Sequence, residues 1–162
     1  MMFSFSKRKK TVDAATKVRK LIDLTCPVVI QCEEGRSSRR YSRSLPVMLL
    51  DWLPGESPSL QHCGMGFTTD ISDRGFCVLT KFVPKLHDNI LGLCTVNNAV
   101  KEYWFFHVSF KTYRREPQNY IRIGYSIVEC LNDDYGSIVN PLIPKLEEFL
   151  SIPDVETEPA TV

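Results

Sequence analysis

From Val47 to Cys130 the apolar residues of this chain recur with period two, in short runs separated by turn signals. That alternation sends successive side chains to opposite faces of an extended strand, whereas a helix repeats every 3.6 residues. Val47, Leu49 and Asp51 fall on one side of a first strand, and Met48, Leu50 and Trp52 on the other. Further strands are expected at residues 66–71, 75–82, 89–96, 103–110 and 120–130. The short stretch Ser72-Asp73-Arg74 reads as a turn between the second and third, and residues 53–64, rich in Pro, Gly and Ser, read as a loop. Pro117 bars a continuous strand through residues 113–119, which therefore connect the last two. Short strands at this spacing build a small antiparallel sandwich or barrel.

The flanks have other periods. Ala14, Val18, Leu21 and Ile22 follow helical spacing within residues 11–23, with Thr11 as a cap and Pro27 as a stop. This helix is amphipathic and must dock, on its own barrel or on a second copy. Residues 31–44 hold Gly35, serines and arginines without apolar periodicity and read as a linker. A closing helix carries Leu142, Leu146, Phe149 and Leu150, with Asn140–Pro141 or Pro144 at its start. The domain reading is thus a basic tail, helix and linker over residues 1–35, a barrel with its C-terminal helix over 36–150, and an acidic flexible tail over 151–162.

Composition narrows the function classes. With 43% hydrophobic residues the chain wants a core and is not disordered. No apolar run reaches the ~18 residues of a membrane span, and the basic start MMFSFSKRKK lacks the apolar stretch of a signal peptide, so a cytoplasmic protein is expected. Twenty Lys and Arg against nineteen Asp and Glu give a net charge of +1. A global electrostatic grip on nucleic acid is therefore not expected, and any anion site must be local. The cysteines, Cys26, Cys32, Cys63, Cys77, Cys94 and Cys130, form no CxxC pair and read as buried, reduced thiols. A zinc site on His62 and Cys63 lacks the ligand pairs such sites use.

Two short constellations carry chemistry. The first is Arg36-Ser-Ser-Arg39-Arg40-Tyr41-Ser42-Arg43, directly before the first strand. Clustered guanidiniums repel one another unless anions answer them, and each matches a phosphate or the O6/N7 edge of guanine bidentately. Alone, such a run is most simply a solvated linker. The second is Asp70-Ile71-Ser72-Asp73-Arg74-Gly75, between two apolar strands. Strict alternation puts Asp70 and Ser72 on one face. A carboxylate accepts from guanine N1–H and N2–H₂, and a hydroxyl donates or accepts. Gly75 suits a positive φ or a close approach to the backbone. Alone, this is a plain turn.

In order, the two motifs resemble those of the PilZ domain family, bacterial receptors for cyclic di-GMP: Arg-x-x-x-Arg before strand one, then Asp-x-Ser-x-x-Gly between the next two strands. Residues 121–129 (IRIGYSIVE) are similar to the family's late strand and NPLIPKLEEFL to its C-terminal helix, so the likeness spans residues 36–150. It implies a mainly β fold, a six-stranded antiparallel PilZ-type β-barrel with a helix closing one end, here with an added N-terminal helix. It also implies cyclic di-GMP as ligand, no cofactor, and a separate downstream protein partner in motility, surface attachment or exopolysaccharide output. By position, Arg39 and Arg43 would clamp guanine edges and phosphates, with Arg40 as a third guanidinium. Asp70 and Ser72 would hydrogen-bond the base and its surroundings, and Gly75 would let the turn form. Arg36 and Arg40 satisfy the same spacing; Arg39/Arg43 is preferred because Arg43 lies nearest the first strand.

Three rivals are weaker. Catalysis has His62, His87 and His107 to draw on, but no motif orients a Cys63/His pair, so the chain is expected not to be an enzyme. A barrel that binds only protein would not need both motifs. For stacking of single-stranded nucleic acid on residues 103–106, period two turns alternate members of that aromatic run inward, so at most half could face a ligand and core filling is the expected role.

Overall fold

In the computed structural model, residues 13–22, 24, 28–29, 40–133 and 135–151 are described. Six strands, β3 (Pro46–Asp51), β4 (Cys63–Ile71), β5 (Gly75–Thr80), β6 (Asp88–Asn97), β7 (Val100–Arg115) and β8 (Ile121–Cys130), close into an antiparallel barrel in the order β4-β3-β6-β7-β8-β5, with β5 paired back to β4. Two short strands, β1 (Val28–Val29) and β2 (Tyr41–Ser42), form a ribbon on the free stretch of β4, with Tyr41 opposite Ile71 and Ser42 opposite Asp70. Residues 41–42, expected within a linker, are therefore sheet. The half-buried Tyr41 packs against the interior cluster, which is the apolar anchor a single sequence-local count does not register. The arginines at 36 and 39 lie outside the described residues.

The alternation read from the sequence is the alternation of the barrel wall. Val47 and Leu49 point inward, whereas Met48, Leu50 and Trp52 point outward. β5 and β8 alternate between buried and half-buried positions along their whole length. In contrast, β3, β6 and β7 bury consecutive residues, such as Val47 to Leu50 and Trp104 to Val108, and so carry apolar side chains on both faces. β7 runs on to Arg115, five residues beyond the expected end, because β8 pairs with it all the way to Ile121. The two-residue turn Asn98–Ala99, both at positive φ, joins β6 to β7 as hairpin twist requires.

Each face of the two-sided strands has its own helix. The N-terminal helix α1 (residues 13–22) presents Ala14, Val18, Leu21 and Ile22 to the interior cluster, together with Ile71, Phe76, Leu93 and Trp104. Its polar side ties to the surrounding rim: Lys17 to Asp133 (3.4 Å), Arg19 to Asp73 (3.4 Å) and Lys20 to Glu102 (3.7 Å). All three acids lie at the end of the barrel where β4 and β8 finish and β5 and β7 begin, so α1 closes that end. Helices α2 (Gly136–Val139) and α3 (Ile143–Ser151), joined by a 3₁₀ turn, cover the outward side chains of β3, β6 and β7 instead. The helix that closes an end is thus the N-terminal one, and the C-terminal helix is a lateral cover.

The opposite end is held by polar groups. The Asp51 carboxylate accepts from Lys85 N (3.1 Å), Leu86 N (2.9 Å) and the buried Asn89 Nδ2 (2.9 Å), while the Tyr125 hydroxyl donates to Asn89 Oδ1 (2.7 Å). His107 is buried beside Asp88 (2.7 Å) with Trp52 edge-on to its ring, and His62 lies 3.3 Å from Asp51. Among the described residues no helix is long and apolar enough to cross a membrane.

Two outcomes test this packing. Leu21→Ala should lower stability by about 2–5 kcal/mol in urea unfolding, as for a fully buried leucine. The Tyr103 hydroxyl donates to Glu147 on α3, and that bond lifts the phenol from 10.0 to about 12 and lowers the carboxyl. The contact is therefore complete between the two ordinary pKa values. It weakens as pH rises through the raised Tyr103 value, or falls through the lowered Glu147 value. Ultraviolet titration of Glu147→Gln should show one tyrosine ionising earlier than in the unaltered protein.

Candidate ligand-binding site

The segment Asp70–Gly75 is positioned by a bulge. The β4–β5 register shifts between Thr68 and Asp70, so Thr68 and Ile71, three residues apart, both face inward while Phe67 and Asp70 face outward. Without that extra residue, strict alternation would turn either Asp70 or Phe67 into the barrel. Thr68 is buried and repairs the break between β2 and β3. Its hydroxyl accepts from Leu45 N (2.8 Å) and donates to the Arg43 carbonyl.

Ser72 stands outside the strand, in the turn. Its backbone N–H donates to Gly75 O (2.9 Å), and its Oγ accepts from Gly75 N (3.1 Å) and Arg74 N (3.3 Å). The hydroxyl is thus occupied in shaping the turn, so Ser72 sets the position of its neighbours. Gly75 is needed for close approach and not for a positive φ. A Cβ there would sit 2.3 Å from the Tyr125 carbonyl oxygen, against the backbone of β8.

The structure brings Arg40 and Asp70 together. Arg40 lies 3.8 Å from Asp70 Oδ1, with the carboxylate largely covered and the guanidinium about half exposed. Such a loose, half-exposed pair contributes at most about 1 kcal/mol, so a ligand can replace either partner at little cost. Arg43 is half-buried where β2 leads into β3, its N–H donating to Thr69 O (3.4 Å), and it makes no ion pair among the described residues. Of the two spacings read from the sequence, the one ending at Arg40 has its arginine against Asp70. Asp73 does not pair with its neighbour Arg74 but with Arg19 of α1, and its Oδ1 is buried without a hydrogen-bond partner among the described residues.

Below Asp70 the outer wall is paved with small side chains. Register places Asp70 beside Cys77, Cys77 beside Gly124 and Gly124 beside Thr112; the next row toward the turn is Gly75, Ser126 and Ser109. This flat floor, a carboxylate at its margin and guanidiniums alongside can accept a planar base and its phosphate. Cys63, Cys77, Cys94 and Cys130 are free and half-buried, while Cys26 and Cys32 lie outside the described residues. Cys63 Sγ donates to Leu60 O (3.1 Å), and His62 lies 3.3 Å from Asp51. Sequence reading missed Arg19, because its bond to Asp73 spans 54 positions. It also missed Arg114 and Arg122, which share the floor's far margin through register alone.

Fold and site together define a small closed barrel with an arginine–carboxylate site on its outer wall. No protein-family model matches the chain, and no curated protein matches it. Among solved structures it is similar to the inhibitor of motility from Bacillus subtilis (MotI/DgrA), with a TM-score of 0.43 and 13% identity over 74% of this chain. The match takes in 53% of that chain, so the present chain spans about half the length of that protein.

Gly75→Ala should destabilise by about 1–3 kcal/mol, the cost of overpacking against backbone that cannot step aside. Chemical denaturation checks this; an unchanged midpoint would mean the turn has room that the geometry denies it.

Proposed function

We propose that this chain is a cyclic di-GMP receptor and adaptor built on a PilZ-like barrel, a binding protein and not an enzyme, acting in the cytoplasm. The observation that carries the reading is the placement of Arg40 against Asp70 on the outer wall, at the junction of the two motifs. Asp70 accepts from the N1–H and N2–H₂ of a guanine lying on the Cys77–Gly124 floor. Arg40 and Arg43, with Arg39 on the same segment, take the O6/N7 edge and a phosphate. Ser72 and Gly75 hold the turn that presents the carboxylate.

Ligand binding becomes a signal through the N-terminal segment. A guanine that takes Asp70 from Arg40 alters what holds β2 on β4, and so the path of the chain that leads from α1. The helix itself stays seated, because withdrawing Val18, Leu21 and Ile22 would expose side chains whose burial is worth about 1.5–3 kcal/mol each. The change concerns the segment between α1 and β2 and the charged outer side of α1, where Arg19 already bonds the same turn. A downstream protein in motility, attachment or exopolysaccharide output would read that surface.

Calorimetry with cyclic di-GMP, beside GTP as control, tests the reading. Micromolar or tighter binding is expected, weakened roughly 10- to 100-fold in Arg40→Ala/Arg43→Ala, the equivalent of losing about 1.5–3 kcal/mol of charge-assisted hydrogen bonding. Hydrogen exchange in residues 31–44 should slow in saturating ligand. No heat and no thermal stabilisation for the unaltered protein would make the barrel a protein-interaction module, indifferent to substitution at Arg40 and Asp70.

A further inference from the structure

The same outer wall carries a second basic group, on the far side of the floor from Arg40. Arg122 of β8 lies directly opposite Arg114 of β7, both facing outward, in a row that continues through Leu79 to Phe67. Like charges facing each other across two strands are destabilising unless an anion answers them. Here one carboxylate oxygen serves both. Glu116 Oε1 accepts from Arg114 Nε (2.9 Å) and Nη2 (2.7 Å) and from Arg122 Nε (3.1 Å). These bonds, that of Arg114 foremost, hold the Glu116 carboxyl below its ordinary range. Two guanidiniums on one carboxylate leave a surplus positive charge, with N–H donors still turned outward. Arg114 is 69% exposed and Arg122 38%.

We infer that Arg122 and Arg114 form a second phosphate subsite, so that a bound dinucleotide lies across the wall between two arginine groups. The inference rests on the receptor reading and extends it. In register, Arg122 is two strands and one same-face row from Asp70, roughly 12 Å between Cα atoms at ordinary strand spacings. An arginine side chain covers about half of such a gap. The remainder is within the distance from a guanine edge to its own phosphate, so a ligand whose guanine is held at Asp70 can set a phosphate between Arg122 and Arg114. Between Asp70 and Arg122 lie Cys77 and Gly124, with the half-buried Leu79 beside Arg122 and Thr112 on the far side of Gly124, so the path runs over small side chains and is flanked by one apolar one. Thr112 is packed so closely on Gly124 that a Cβ there would meet its Oγ1 at 2.4 Å. Phe67, 42% exposed in the same row as Arg122, offers a ring face beside the path.

The test compares the unaltered protein with Arg114→Ala/Arg122→Ala and with Arg122→Gln, titrating cyclic di-GMP over a salt series. The double variant removes a like-charge pair, and a thermal melt confirms that it is folded. Arg122→Gln, which keeps donors but not charge, provides a milder second variant. At least a tenfold loss of affinity in the double variant, a smaller loss in Arg122→Gln, and a shallower salt dependence in both are expected. Binding by the unaltered protein that neither variant weakens would overturn the subsite and leave the receptor reading standing. Absence of binding by the unaltered protein would remove both.

Discussion

The constraint on which the rest of the structure depends is that three of the six barrel strands are apolar on both faces. β3, β6 and β7 cannot leave Met48, Leu50, Ile90 and Phe105 in water while Leu49, Leu91 and Phe106 fill the interior. A closed barrel satisfies one face only. The other must be covered, and the C-terminal helices do so with Leu142 and Leu146. Half of the wall is thereby taken. The half formed by β4, β5 and β8 alternates along β5 and β8 and carries one bulge in β4; its outward positions beside Asp70 are polar or small, with Phe67 and Leu79 in the next row. The candidate site lies on the part of the wall that the C-terminal helices leave uncovered.

Within that half, local irregularity sets the chemistry. The bulge after Thr68 turns Asp70 outward without sacrificing Ile71 to solvent. Ser72 spends its hydroxyl on the turn, and Gly75 allows β5 to pass against the Tyr125 carbonyl. The turn is consequently stiff on the barrel side, and its charged groups are tied to two elements that precede the barrel. Asp70 meets Arg40 at the edge of β2, and Asp73 meets Arg19 on α1. One short turn thus touches both the ribbon and the helical plug.

Much of this was legible in the residues. Alternation located the six wall strands to within a few positions, and the stripe Ala14, Val18, Leu21, Ile22 identified a helix that had to dock. Strict alternation failed at β4, because a bulge costs one residue and leaves no mark in the hydrophobic pattern. It failed again at Tyr41, where one aromatic anchor holds a two-residue strand within an otherwise polar stretch. It stopped β7 too early, since Lys111 to Arg115 are exposed and owe their strand conformation to pairing with β8.

The sequence by itself determined which segments are strands, which side chains seek the core, and where along the chain the candidate arginine and DISDRG residues fall. Those properties follow from side-chain type and from spacing along one strand or helix. Only the tertiary structure decided which helix closes the barrel and which covers its flank, that Arg40 is the guanidinium beside Asp70, and that Arg114 and Arg122 face each other over one glutamate. Each of these depends on register between strands or on contact across many residues, and the free energy of such contacts exists only once the sheet has closed.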